Sequence, residues 1–386
     1  NFLLILFRFL FFWRKSIPKN IKKIIILRVG NIGDIICAVP AMEAIRKNFP
    51  EAEITLLSSP GKYGAVGAKE LLKNTIFLDK LKIYYHEDIN TLKDKISLIR
   101  KLKKENYDLF IEFPKNLADF GTEMRNMIFA KIIGCQYALG FKVSTIKMFA
   151  KIQSKYISFD NEVERLLKII QKESLKISDV LFPLPISAED KKIVNNFLFK
   201  LDNEKLIALN PNAKRQTNRW PLKRFGEVGR WLVNHYNARV FIIGGNADRK
   251  RMAELKKMIG VGAVDLAGKF SLLQTIELLK HCQFLVSNDS GAIHMASAVN
   301  TPVVGIYSAR DLKNKWYPYG ERNVIFRKSP KCQVCFKEEC NNLACLNKVK
   351  TDEVCEAINK LFINRNMKQN YPKERDNLEY YKENIK

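Results

Sequence analysis

Residues able to do chemistry gather in four loops, each lying where an apolar run gives way to a helical pattern. The first is Gly30-Asn31-Ile32-Gly33-Asp34, between a buried-type run from Lys23 to Val29 and an amphipathic stretch with Pro40 inside it. Glycines there let a ligand approach the backbone, and Asp34 stands at a helix mouth, where parallel sheets bind ligands. Asp34 also suits the plain task of an N-cap, and the two uses are compatible. The second loop, from Pro211 to Pro221, holds Asn212, Lys214, Arg215 and Arg219, amides and cations that suit a diphosphate or simply water. The third is the pair Gly244-Gly245, which permits close backbone approach. In the fourth, Asp289-Ser290-Gly291 ends a strand and exposes backbone N–H groups at a helix N-terminus, a ready anion site. His294 follows one turn later on the same side; it is either a structural histidine or one aimed at that ligand.

Alternating strands and helices must position these loops. Strands are expected at 23–29, 53–58, 75–79 and 107–113, with helices at 34–48, 90–105 and 119–133. Two prolines in the apolar stretch 180–187 interrupt the rhythm and mark a linker and hinge near Phe182 to Pro185. Strands resume at 205–210, 239–243, 283–287 and 302–307, with helices at 221–235, 247–259, 271–281 and 291–299. This βαβ order predicts two mainly parallel α/β halves, Rossmann-like domains over 22–180 and 181–364, facing each other across a cleft. Residues 365–386 read as a polar tail.

The chain has 386 residues, 47% of them hydrophobic, enough for two domains with sizeable cores. A net charge of +26 favours anionic partners, although composition drift in a Lys- and Ile-rich chain accounts for part of it. No zinc-finger, helix-turn-helix or RNP-type signature supports a nucleic-acid partner. The spacing GxxGD is not GxGxxG, and no acid follows at the dinucleotide interval, which argues against a nicotinamide dehydrogenase. Residues 2–13 are apolar apart from Arg8 and are followed by Arg14, Lys15, Lys19, Lys22 and Lys23. The run is shorter than the roughly 20 residues that span a bilayer, so 1–21 is expected to lie on an anionic membrane surface. Cys37, Cys135 and Cys282 are expected in the core. Cys332, Cys335, Cys340 and Cys345 have spacing suited to a structural zinc or to clustered free thiols, with disulfides next.

Several segments together resemble glycosyltransferase family 9, the lipopolysaccharide heptosyltransferases. These are GxxGDxxxxxPAxxAIRKNFP, YDLFIEFPKN, GxxYALGF, NPNAKRQTNRWPLKRF, FIIGGNAD, the stretch ending VSNDSGAIHMASA, and TPVVGIY, in order from Lys22 to Leu361. The resemblance implies a GT-B fold and inverting transfer of heptose from ADP-heptose to the lipopolysaccharide inner core, with no cofactor required. It implies Asp34 as general base and a donor site of Asn212, Lys214, Arg219, Gly244, Gly245, Asp289, Ser290, Gly291 and His294. Acceptor contacts fall on Gly30, Asn31, Gly33, Lys115 and Asn116. Arg219 stands where some relatives have Lys, and the apolar N-terminus is outside the family pattern. A cytoplasmic enzyme peripheral to the inner membrane is expected, its membrane attachment resting on the composition of residues 1–21 alone. A relative using another nucleotide sugar, or one that binds without turnover, is the alternative; the oligomeric state is not addressed by the sequence.

Overall fold

The run KIIILRV is buried from Ile24 to Arg28, as a strand covered on both faces must be, and it forms the centre of the first of two parallel sheets. The computed structural model describes residues 2–12, 17–177, 179–199, 201 and 205–368. In chain order the first half contains α1 (Phe2–Phe11), β1 (Lys23–Val29), α2 (Ile32–Asn48), β2 (Glu53–Ser59), α3 (Ala68–Leu72), β3 (Lys80–Ile83), α4 (Leu92–Lys103), β4 (Leu109–Glu112), α5 (Phe120–Ile132), β5 (Tyr137–Leu139), α6 (Lys147–Gln153) and α7 (Glu162–Gln171). The second half contains α8 (Ala188–Leu198), β6 (Lys205–Asn210), α9 (Leu222–Tyr236), β7 (Ala238–Ile242), α10 (Arg249–Ile259), β8 (Ala263–Asp265), α11 (Leu272–His281), β9 (Leu285–Asn288), α12 (Gly291–Ala298), β10 (Val303–Ile306), β11 (Val324–Phe326), α13 (Ala344–Asn347) and α14 (Thr351–Lys368).

The sheets run β3-β2-β1-β4-β5 and β11-β10-β9-β6-β7-β8, with every strand pairing among the described residues parallel, for example Ile26 opposite both Leu56 and Ile111. Strand order reverses between β1 and β4 in one sheet and between β6 and β9 in the other. Ligands bind outside the carboxyl ends of strands at such reversals. Those ends are the loops after Val29, Glu112, Asn210 and Asn288. The linker expected at 180–187 carries no regular structure before α8, and Phe182, Leu184 and Ile186 pack on the core.

Two expectations are corrected. The strand expected at 75–79 lies at Lys80–Ile83, because Asn74 turns the chain at φ 65° and Lys80 and Lys82 reach Glu53 and Glu105 from a sheet edge. The helix expected to lie wholly in a membrane interface is half core: Leu4 and Phe12 are buried beside α5, and Arg8 grips Glu173 through paired contacts of 2.5 and 2.8 Å. Its outward side still presents Leu3, Ile5, Leu6 and Leu10. Trp13, Arg14 and Lys15 lie outside the described residues, as does most of the expected tail, although α14 extends to Lys368. Among the described residues no helix is long and apolar enough to cross a membrane.

One charged cluster joins the halves. Glu162, fully buried at the start of α7, meets Arg28 of β1 at 3.0 Å, Arg165 at 2.7 Å and Lys315 of the second half at 3.2 Å. Burial by itself would raise the Glu162 carboxyl, but Arg165, Lys315 and Arg28 outweigh it and hold the group well below the usual range. Around it, Asn161 Nδ2 donates to Tyr317 O, Asn314 Nδ2 to Phe159 O, and Glu162 N–H to Lys315 O. Glu162→Gln strands three buried cations and is expected to cost roughly 3–5 kcal/mol in urea unfolding at pH 7. Because the folded carboxyl is depressed, the wild-type advantage should be full above about pH 4.3 and shrink as pH falls further. A loss under about 1 kcal/mol at pH 7 would show that the cations find other partners.

Candidate active site

The first turn of α2 is built around Asp34. Its Oδ2 accepts the Asn31 N–H at 3.0 Å, so the N-cap is Asn31 and the capping task expected of Asp34 is corrected to the N3 half of a capping box, because the helix begins two residues earlier, at Ile32. Oδ1 lies 3.6 Å from Arg28 Nη2 and the side chain remains 26% exposed. Gly30 must be glycine here, since a Cβ would fall 2.3 Å from Asp34 Cβ. Arg28 holds the surroundings: its Nε donates to Asp34 O and its Nη1 to Phe113 O and Pro114 O. Lys214 from the second half reaches across to donate to Asn31 Oδ1 at 3.4 Å.

The two helix N-termini then meet. A Cβ on Gly33 would lie 2.7 Å from His294 Cδ2, and one on Gly291 would lie 3.1 Å from Ile32. These glycines let α2 and α12 approach, so the turn that carries Asp34 packs against the amide-rich start of α12. His294 is buried, with Nδ1 3.3 Å from Cys37 Sγ, and burial pushes it down to about 4. It is therefore a neutral packing group of the contact between halves at pH 7.

On the second half, asparagines fix the loops. Asn210 Nδ2 donates to Ser290 Oγ at 2.7 Å and to Ser287 Oγ at 3.0 Å; Asn288 accepts the Trp220 N–H and donates to Pro211 O. Asn218 Nδ2 donates to Asp289 Oδ2 at 2.9 Å. Arg219 Nε is spent on Ala213 O, which aims the remaining guanidinium nitrogens elsewhere. Arg251, on α10, is pulled down by burial and then by Arg219, and its Nε is buried with no partner. Two guanidinium groups close enough to repel, one incompletely hydrogen-bonded, form a place where an anion relieves both costs. Asn212 is buried with both side-chain polar atoms unpartnered, a second sign of a missing polar ligand.

The sequence-derived residues thus fall into linked groups. Asp34, Gly30, Asn31, Gly33, Lys214, Gly291 and His294 meet at the helix termini, and Ser290, Asp289, Asn212 and Arg219 adjoin through Asn210, Asn218 and Asn288. Gly244 and Gly245 form the turn capped by Asp248, and connect through α10 and Arg251. Lys115 is exposed beside Asn116, whose Oδ1 is buried and unpartnered. Arg28, Glu162, Arg165, Lys315 and Arg251 escaped the sequence reading; only Arg28, a cation inside an apolar strand, was a visible signal.

Of the three readings of the cysteine cluster, a structural zinc, free thiols or disulfides, the structure shows free thiols. Cys332, Cys335, Cys340 and Cys345 line one cavity of about 30 Å³, yet among the described residues no set of three or more His, Cys, Asp or Glu side chains is gathered to hold a metal. That loop takes its shape from hydrogen bonds: Arg310 donates to Lys337 O and Phe336 O, and Cys340 Sγ accepts the Leu343 N–H. A wider depression of about 660 Å³, on the outer side of α9 with Glu227 and Trp231, shares no residue with the cleft.

Burial, with Asp311 adding repulsion, raises Asp289 to about 7. The folded chain therefore keeps a proton there that the unfolded chain releases near pH 4, and this contribution is lost as pH rises from 4 to 7. Asp289→Asn should gain stability relative to wild type across that window, by at most a few kcal/mol, in urea titrations at several pH values. A constant difference would place the carboxyl at its ordinary pKa.

The sequence model of glycosyltransferase family 9 (heptosyltransferase) matches residues 95–345. A lipopolysaccharide core heptosyltransferase of Haemophilus influenzae is 20% identical over 294 residues, covering 74% of this chain and 79% of that protein. Among solved structures, a glycosyl transferase family 9 protein from Veillonella parvula superposes with a TM-score of 0.70 at 16% identity, covering 91% of this chain and 100% of that one. The Escherichia coli ADP-heptose lipopolysaccharide heptosyltransferase II gives 0.64 at 20% identity, covering 89% and 99%. The two facing parallel sheets are the GT-B fold, and the chain belongs to glycosyltransferase family 9, the heptosyltransferases.

Proposed function

We propose that the chain transfers heptose from ADP-heptose to the inner core of lipopolysaccharide with inversion at the anomeric carbon. The observation that carries this is Asp34, a partly exposed carboxylate on the turn that packs against the start of α12, with Lys214 of the second half bonded one turn away. The names of the similar proteins support the donor and acceptor, one of them being an ADP-heptose enzyme.

In this reading Asp34 removes the proton of an acceptor hydroxyl as its oxygen attacks the anomeric carbon, and ADP leaves with the electron pair of the broken C–O bond. Charge growing on the diphosphate is met by Arg219, Arg251 and Lys214 and by the first amides of α12, fixed in place before reaction. These groups supply the neutralisation that a divalent metal would otherwise provide. Asn212 offers its unpaired amide to the same donor, and Gly244-Gly245 its backbone. Lys115 and Asn116, on the loop that Arg28 and Arg165 hold by its carbonyls, face the acceptor. The exposed side of α1 rests on the anionic cytoplasmic face of the inner membrane, next to a lipid-borne acceptor.

Asp34→Asn keeps the shape and the cap acceptor but not the basicity. It should lower turnover by about a hundredfold or more with ADP affinity by calorimetry nearly unchanged; near-normal transfer would falsify the assignment. Asn212→Ala gives up no protein hydrogen bond, so thermal stability should hold while ADP affinity drops about tenfold. Unchanged ADP affinity would remove Asn212 from the donor site.

A further inference from the structure

Between Glu123 and Asp160 the chain carries six cations, Arg125, Lys131, Lys142, Lys147, Lys151 and Lys155, and no acid. The middle of this stretch is α6 and the turn that follows, fixed by Tyr156 N–H and Ile157 N–H donating to Gln153 O. Residues in a helix advance by about 100° each, so Met148 and Ile152 share a stripe and Ala150 points to the opposite side. Ala150 is fully buried with Leu312 and Val334 of the second half and with Leu117 of the loop after β4. The other side is open: Tyr156 is 80% and Met148 69% exposed, and Phe149, Ile152 and Ile157 are about half exposed. Lys147, Lys151 and Lys155 stand exposed among them, and among the described residues none forms an ion pair.

Five large apolar side chains bared together exceed what a soluble surface ordinarily shows. A purely apolar partner would have to desolvate three ammonium groups, whereas phosphate headgroups above acyl chains satisfy both chemistries at once. The position fits the same occupant, since Leu117, against which α6 packs, follows Lys115 and Asn116 directly. We propose that α6 and the turn through Ile157 seat the rim of the cleft on an anionic lipid surface. The apolar side chains enter the boundary between headgroups and acyl chains, and the three lysines lie at the level of the phosphates. The purpose of this contact, presenting a lipid-borne acceptor to the cleft, rests on the transferase reading; the binding itself rests on the patch.

Two variants of the full chain test it: Met148→Ser/Phe149→Ser/Ile152→Ser/Tyr156→Ser, and Lys147→Glu/Lys151→Glu/Lys155→Glu. Both change exposed side chains, and circular dichroism checks their fold. In flotation with phosphatidylglycerol-rich vesicles each should partition at least about tenfold less than wild type, which should itself bind phosphatidylcholine vesicles far more weakly. Transfer to a lipid-free core oligosaccharide should be unchanged, and transfer to the same acceptor embedded in vesicles should fall about tenfold. Equal partitioning of wild type and both variants would overturn the proposal, as would equal wild-type binding to neutral vesicles. It also fails if the patch pairs two copies, seen as a dimer by light scattering that the serine variant dissolves without any change in flotation. If wild type transfers sugar to neither acceptor, the transferase reading fails while flotation still decides the lipid contact.

Discussion

Placement of Asp34 depends on a carboxylate that does no chemistry. Glu162 collects Arg28, Arg165 and Lys315, and Arg28 in turn spans the end of β1, the first turn of α2 and the carbonyls after β4. A buried ion cluster of this kind adds little net stability compared with apolar packing, but breaking it is costly. What it contributes is geometry. One guanidinium sets the direction of the Asp34 turn and the path of the Lys115-Asn116 loop, while Lys315 ties both to the other half.

The contact between halves relies on what is missing as much as on what is present. Without side chains at Gly33 and Gly291, the ends of α2 and α12 come close enough for His294 to sit against Cys37. Both members of that pair are neutral at pH 7, since burial lowers the histidine and raises the thiol. At this point the halves touch through an uncharged pair, next to the charged contact of Glu162 with Lys315. Asn212, Arg251 and Asn116 hold unpartnered buried atoms that a polar ligand would satisfy. A site with hydrogen-bonding capacity left over is one whose ligand completes it.

Much of this was legible in the chain. β1, β6 and most helices lie within a few residues of where periodicity placed them, because long apolar runs and caps are local signals. The strands β5, β8 and β11 were not, being three-residue edge segments too short to show alternation. β3 was misplaced because an edge strand of alternating Lys and apolar residues looks like surface. α1 was read as wholly interfacial since no polar side is visible in FLLILFRFLF, yet a helix can be apolar all round and still bury only one stripe.

The sequence by itself determined the two α/β halves, the glycine turn with its acid, and the amide-rich and cationic loops at strand ends. Each of these is a property of a few neighbouring residues. Only the tertiary structure decided which loops meet, that His294 packs instead of pointing outward, that Arg251 joins Arg219, and that the four cysteines are not gathered around a metal. Those outcomes depend on pairs far apart in the chain, Arg28 with Glu162 or Gly33 with His294, and distance along the sequence carries no trace of distance in space.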